Sequence, residues 1–444
     1  MARVCFILVA GLNEALLKRF GVPANLGKLG YSTRLSPLFP GLTCSVQATM
    51  STGALPGEHG IIANGLYTFD QPELQGHLDL SNHAATRQQV SFWEQSNTLL
   101  QKPRFWAGKK LKVAQLFWQQ SMGGAADIVL TPKPTHTPDG KTISTCWSQP
   151  AELNAELTAK LGPFPLHKYW GPMAGIESTQ WITQAAISVW RNQQPDLQLV
   201  YLPHLDYNLQ RLGPEHPAIA ADLTAVDALL GELIAAVQAD GGQVIVAGDY
   251  GIVPVDTVVM PNLALRNAGL LKTTADATGK LVVDYAQSRA FAMVDHQIAY
   301  VYLRGATVAE VAGVLKDFPG LGRMLTTLED LVAVGMDNPR SGKLMLLAQP
   351  TAWFAHDWWL DDSEKPQWQF GVDIHSKPGY DPRELFFDPQ RKCIAQDGAR
   401  VKGSHGLTST DGNLWPVLRA SAALPQPGLG MTQIPALLER WLGC

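Results

Sequence analysis

Leu197-Gln-Leu-Val-Tyr-Leu-Pro203 runs directly into His204-Leu-Asp206. An apolar run this short, with no polar alternation, suits a strand buried on both faces of a parallel sheet. The acid that follows then stands just past the strand's carboxyl end, where open α/β sheets bind their ligands. Val4–Ala10, Lys112–Trp118, Gln243–Gly248 and Lys343–Ala348 repeat the pattern. Between them, Glu177–Arg191 and Ala218–Ala239 carry apolar residues at helical spacing. Strand–helix alternation of this kind predicts an α/β fold with right-handed crossovers.

At 444 residues the chain exceeds the size at which one core usually stops growing, about 250–300 residues. The stretch 65–175 is rich in Gln, Trp, Pro and His, and reads as an inserted cap or loop-rich subdomain. Residues 1–64 and 176–444 then form the core. Short antiparallel strands are expected within 275–345, and an ordered surface loop over Asp361–Arg383.

Hydrophobic residues make up 46% and charged residues 17%, which excludes a disordered or polyelectrolyte chain. The formal net charge of −4 offers no field for a nucleic-acid polymer or an anionic membrane. Five scattered cysteines without a CxxC pair point to a reducing compartment. No run reaches the ~18 apolar residues of a membrane span, so a cytoplasmic location is expected. Among 13 tryptophans, Phe105-Trp106, Phe117-Trp118, Trp353-Phe354 and Trp358-Trp359 belong mostly to core packing, with a few expected over a ring-binding pocket.

Four pieces carry chemistry. Asp206 and Asp249 each follow a buried strand, a placement that suits a metal site or a helix cap. Thr43 stands where Pro40-Gly-Leu42 gives way to a helical pattern, so its hydroxyl faces the positive end of a helix dipole. His405 is flanked by Gly403-Ser404 and Gly406, which lets backbone approach a ligand closely.

In order, these pieces resemble the alkaline phosphatase superfamily in its type I phosphodiesterase and nucleotide pyrophosphatase branch. The longest match is Pro37-Leu-Phe-Pro-Gly-Leu-Thr43 followed by Thr52-Gly-Ala-Leu-Pro-Gly-Glu-His-Gly-Ile-Ile-Ala-Asn64. Asp206 with Gly213-Pro214, Gly248-Asp249-Tyr-Gly251 and Gly403–Gly406 resemble the later segments. The resemblance implies a three-layer α/β/α sandwich around a mostly parallel sheet, and a Thr43 nucleophile attacking phosphorus beside two divalent metals. Three of the implied ligand positions hold Ala10, Gln210 and Tyr250 instead, leaving Asp206, Asp249 and His405. Fewer than two metals (zinc, manganese or magnesium) are therefore expected.

Tyr201–Arg211, Ser288–Gln297 and Asp373–Phe387 resemble a divergent group of alkaline-phosphatase-like proteins carried in ebo-type biosynthetic clusters. They add His204, Asp295, His296, Asp373 and His375 as candidates, with Arg211, Arg289 and Lys377 as charges that would neutralise an anion. Asn64 closes the nucleophile segment. The expected function is metal-dependent phosphoester hydrolysis, of a phosphodiester or pyrophosphate, on a small phosphorylated or cyclic metabolite. The lost ligands keep two alternatives open: a non-hydrolytic enzyme, or a catalytically silent binding protein on the same fold.

Overall fold

A computed structural model describes residues 2–71, 74, 89–136, 142–375 and 377–444. Part of the Pro- and Thr-rich run 131–140 lies outside the described residues. The central sheet takes β1 (Val4–Val9), β2 (Tyr31–Ser36), β3 (Val113–Leu116), β4 (Ile128–Pro132) and β5 (Cys146–Gln149). It continues with β6 (Leu197–Leu202), β7 (Gln243–Gly248), β12 (Val417–Ala420) and β13 (Leu429–Gly430). The order across the sheet is β13-β2-β12-β7-β1-β6-β3-β4-β5. The five strands β4-β3-β6-β1-β7 are mutually parallel, and β12 and β5 join antiparallel on either side. All six residues of β1 and of β6 are buried, as both-face coverage by helices requires. Each such Val, Leu or Ile contributes about 1.5–3 kcal/mol of burial.

Helices α2 (Ile176–Gln193) and α4 (Ile219–Ala239) pack together and against β6 and β7. A second pair, α1 (Thr43–Thr52) and α5 (Ile434–Leu442), packs together and meets β1. The molecule is thus a three-layer α/β/α sandwich. No helix among the described residues is long and apolar enough to cross a membrane.

Two expectations change. The stretch 65–175 supplies β3, β4 and β5 to the central sheet, so it is not a cap lying outside the core. Its polar, Pro-rich bias sits in the connections, while runs of four or five residues between them carry the sheet. Lys343–Ala348, expected in the parallel sheet, instead gives β11 (Leu344–Ala348) of a separate antiparallel sheet. That sheet runs β8 (Ala290–Asp295), β9 (Ile298–Leu303), β11, β10 (Leu321–Leu325), and has its own apolar core. A short apolar run does not disclose the direction of its neighbours. Trp106, Trp118, Trp353 and Trp358 are fully buried.

Register sets the site. Val9 pairs with Leu202 on one side and Gly248 on the other. Ala10, Pro203 and Asp249 therefore leave the sheet side by side. A Cβ at Gly248 would lie 1.8 Å from the Leu12 carbonyl oxygen. Gly248→Ala is expected to cost about 1–3 kcal/mol through this backbone clash, measurable as a lower urea midpoint with an unchanged m value.

Candidate active site

Thr43 is the first residue of α1, and the cap position is Leu42. Its hydroxyl is thus free of capping duty and lies 3.2 Å from the Tyr250 hydroxyl. Asp206 is the third residue of α3 (His204–Leu212), which starts one residue beyond β6. One turn on, Gln210 donates to Asp206 Oδ2 at 2.6 Å, as the i,i+4 spacing allows. Tyr250 donates to Asp206 Oδ1 at 3.2 Å. Tyr380 closes the group through Gln210, at 2.9 Å from its amide nitrogen.

His405 stacks flat on Tyr250, ring centroids 3.6 Å apart, and its Nδ1 donates to the Gly41 carbonyl at 2.7 Å. Beneath them, Asp249 Oδ1 accepts from Gly11 N and Tyr250 N, both at 2.9 Å, while Oδ2 is buried without a partner among the described residues. Burial pushes the Asp249 carboxyl well above the usual range, which favours its neutral form. Burial also pushes Asp206 up to about 7, against the pull of Gln210, Tyr250 and Arg211. The His405 imidazole is held well below its usual value by burial and by neighbouring His296.

Thr43, Asp206, Tyr250 and His405 line one pocket with a cavity volume of about 100 Å³. Its walls are aromatic: Trp93, Tyr169, Trp170, Tyr201, Tyr207 and Tyr380. These rings come from distant parts of the chain; Tyr201, Tyr207 and Tyr380 lie within the segments Tyr201–Arg211 and Asp373–Phe387, whereas no motif marked Trp93, Tyr169 or Trp170. Gln95 and Gln119 add an amide wall. Among the described residues, no lysine or arginine lines it.

The other candidates fall elsewhere. Ala10 is buried at the end of β1 and offers no donor side chain. Asn64 accepts from Cys44 N at 3.0 Å and donates to Asp295 at 3.2 Å. Arg211 donates to the carbonyls of Leu385, Ala174 and Gly171. Arg289 is an exposed partner of Glu310, and His204 pairs with Asp222. Lys377, expected to face an anion, is fully buried against Asp381 and Glu384, at 3.1 and 2.9 Å. The charge of 361–383 is thus partly internal and not a surface property. Asp373 does not line the pocket, whereas His375 does, with its Nδ1 3.1 Å from the Phe92 carbonyl.

The donor set does not fit the expected metals. Among the described residues no three His, Cys, Asp or Glu side chains are grouped to hold an ion. Both Asp206 oxygens already accept hydrogen bonds, and the Tyr250 hydroxyl stands between Asp206 and Thr43.

No curated protein matches the chain in sequence. Among solved structures, phosphonoacetate hydrolase from Sinorhizobium meliloti 1021, in complex with phosphonoformate, is 16% identical with a TM-score of 0.63. The match covers 99% of this chain and 96% of that one. Murine ectonucleotide pyrophosphatase / phosphodiesterase 5, an inactive variant in complex with AMP, is 14% identical with a TM-score of 0.61, covering 100% and 95%. The human counterpart has a TM-score of 0.59 at 14% identity, covering 99% and 95%. These likenesses establish the alkaline-phosphatase-like fold. The family model for type I phosphodiesterase / nucleotide pyrophosphatase matches residues 4–381, most of the chain and all of the strand ends that build the pocket except the His405 segment, and the chain belongs to that family.

Proposed function

We propose that this protein hydrolyses small phosphodiesters with Thr43 as nucleophile, and that a Tyr250–Asp206 relay removes the Thr43 proton. The observation that carries this reading is the line Thr43 Oγ1–Tyr250 Oη–Asp206 Oδ1, with 3.2 Å at each contact. A phenol has one proton. With Asp206 ionised, Tyr250 gives that proton to Asp206, and Thr43 must donate to Tyr250. Attack forms the Thr43 Oγ1–P bond and breaks the bond from P to the leaving oxygen. The hydroxyl proton passes to Tyr250 as the Tyr250 proton passes to Asp206. The start of α1 presents its positive end to the phosphoryl oxygens.

Pocket charge selects the substrate. With Asp206 in the wall and no lysine or arginine lining it among the described residues, a singly charged diester is favoured over a doubly charged monoester. The aromatic walls suit a ring-bearing substituent. Turnover of an aryl phosphodiester should continue undiminished after exhaustive dialysis against a chelator, and should exceed turnover of the matching monoester. Activity that disappears on dialysis and returns with zinc would overturn the relay.

A second reading, binding without turnover, is favoured by Asn64, whose side chain is engaged at both ends by Cys44 N and Asp295. Tight binding of an aryl phosphonate with no hydrolysis of the matching ester would select it.

A further inference from the structure

His296 lines the pocket and is hydrogen-bonded to Asp295, a pair that the relay leaves unused. Asp295 ends β8 and pairs with Ile298, so His296 and Gln297 alone make the turn into β9. Two-residue turns need a positive φ at their first central residue, the place of Gly, Asn or Asp. Here His296 takes it, with φ +58°. A non-glycine residue in this region is uncommon and is often tied to function. The ring is 2% exposed and lies between Tyr380 and His405, at centroid distances of 3.7 and 3.8 Å.

An ionised Asp295 sets the imidazole tautomer. Asn64 donates to both carboxylate oxygens, from its backbone N at 2.8 Å and its Nδ2 at 3.2 Å. His296 Nδ1 lies 2.7 Å from Asp295 Oδ1. Burial pushes the Asp295 carboxyl up to about 7; in its ionised form it accepts from Asn64 and is met by a protonated His296 Nδ1, so Nε2 carries the lone pair. That Nε2 is buried with no hydrogen-bond partner among the described residues, on a ring that lines the pocket holding Thr43. His405 also has its lone pair on Nε2, but its Nδ1 rests on a neutral carbonyl. His296 has a carboxylate on its Nδ1 to stabilise the imidazolium that forms on taking a proton, whereas His405 has Asp206 3.8 Å from Nε2 itself.

We propose that Asp295–His296 is the general base of the second half-reaction, with His296 Nε2 accepting the proton of the water that hydrolyses phospho-Thr43. The water oxygen–P bond forms and the P–Oγ1 bond breaks. The water proton goes to His296 Nε2, and the proton held on Asp206 returns through Tyr250 to Thr43. The imidazolium then releases its proton to solvent, which balances the alkoxide lost in the first step. This assignment rests on Thr43 being the nucleophile.

The test uses the full chain and an aryl phosphodiester, followed by burst kinetics and intact-mass spectrometry. His296→Asn keeps a residue that tolerates the left-handed turn. It should leave the burst of aryl alcohol intact, lower the steady-state rate by about 10²-fold or more, and accumulate the phosphorylated chain. Added imidazole should shorten the adduct's life. Asp295→Asn, a near-isosteric change, should give the same adduct and covers the case in which His296→Asn fails to fold. An adduct whose lifetime neither variant lengthens overturns the assignment while leaving the Thr43 reading intact. If no adduct forms in any variant and Thr43→Ala keeps its turnover, both readings fall.

Discussion

Arg383→Met is expected to lower the unfolding free energy by about 3–5 kcal/mol, the cost of leaving buried charges without their partner. The guanidinium is 2% exposed and holds two carboxylates. Its Nη1 and Nη2 donate to the two Asp357 oxygens at 3.0 and 2.6 Å, and its Nε donates to Asp381 at 2.7 Å. Lys365 stands 3.6 Å from Asp357 and Lys377 stands 3.1 Å from Asp381, so each acid retains only a weaker partner after the substitution. Met fills a similar volume, so the loss reports charge and not a cavity. Urea unfolding measures it, and a change under about 1 kcal/mol would place the pair among those that contribute little.

The pH dependence has a definite sign. Burial alone would raise the Asp357 carboxyl, but Arg383 and His356 outweigh burial and bring it from 3.8 down to about 2. A depressed folded value means stability that is present above 3.8 and lost as pH falls towards 2. The gap between wild type and Arg383→Met should therefore narrow across that window. Tyr380 sits one residue before Asp381, and its ring stacks on His296 at 3.7 Å. Loosening this network should also degrade the pocket wall.

The parallel core was legible because its strands are unbroken apolar runs, and a run buried on both faces has few other readings. The strand ends were legible for the same reason: Asp206 and Asp249 follow those runs directly, and the register of β1 with β6 and β7 places them on adjacent strand ends. A metal-poor pocket with Tyr250 as a polar group was legible, but the contacts that Tyr250 makes there were not. Tyr250 reads in sequence as the loss of a histidine, whereas in space it adds a hydroxyl to Thr43, 207 positions away. The same holds for Lys377 and Arg383. A charge-dense, Pro- and Gly-rich stretch looks solvated until its counter-charges at Asp357 and Glu384 are brought in by packing. The reading of 65–175 as a cap followed the composition of its loops, although Lys112–Trp118 within it already read as a strand of the sheet.

Thr43→Ala should abolish turnover of an aryl phosphodiester, and Tyr250→Phe should lower it by about 10²–10⁴-fold, the usual worth of positioned proton transfer. The two substitutions separate the nucleophile from its relay. Tyr250→Phe keeps the ring, and with it the 3.6 Å stack on His405, so packing and access to the pocket are retained. It removes only the oxygen that joins Thr43 to Asp206. Because the relay acts on the bond-making step, the loss should fall on the burst rate and on kcat, with KM little changed. Asp206→Asn removes the proton's destination and should cost a similar factor. Combining it with Tyr250→Phe should add little, because groups that act as one unit are not additive. Independent losses that multiply would show that Tyr250 and Asp206 serve different steps. A Tyr250→Phe variant with wild-type kcat would show that Thr43 loses its proton by another route.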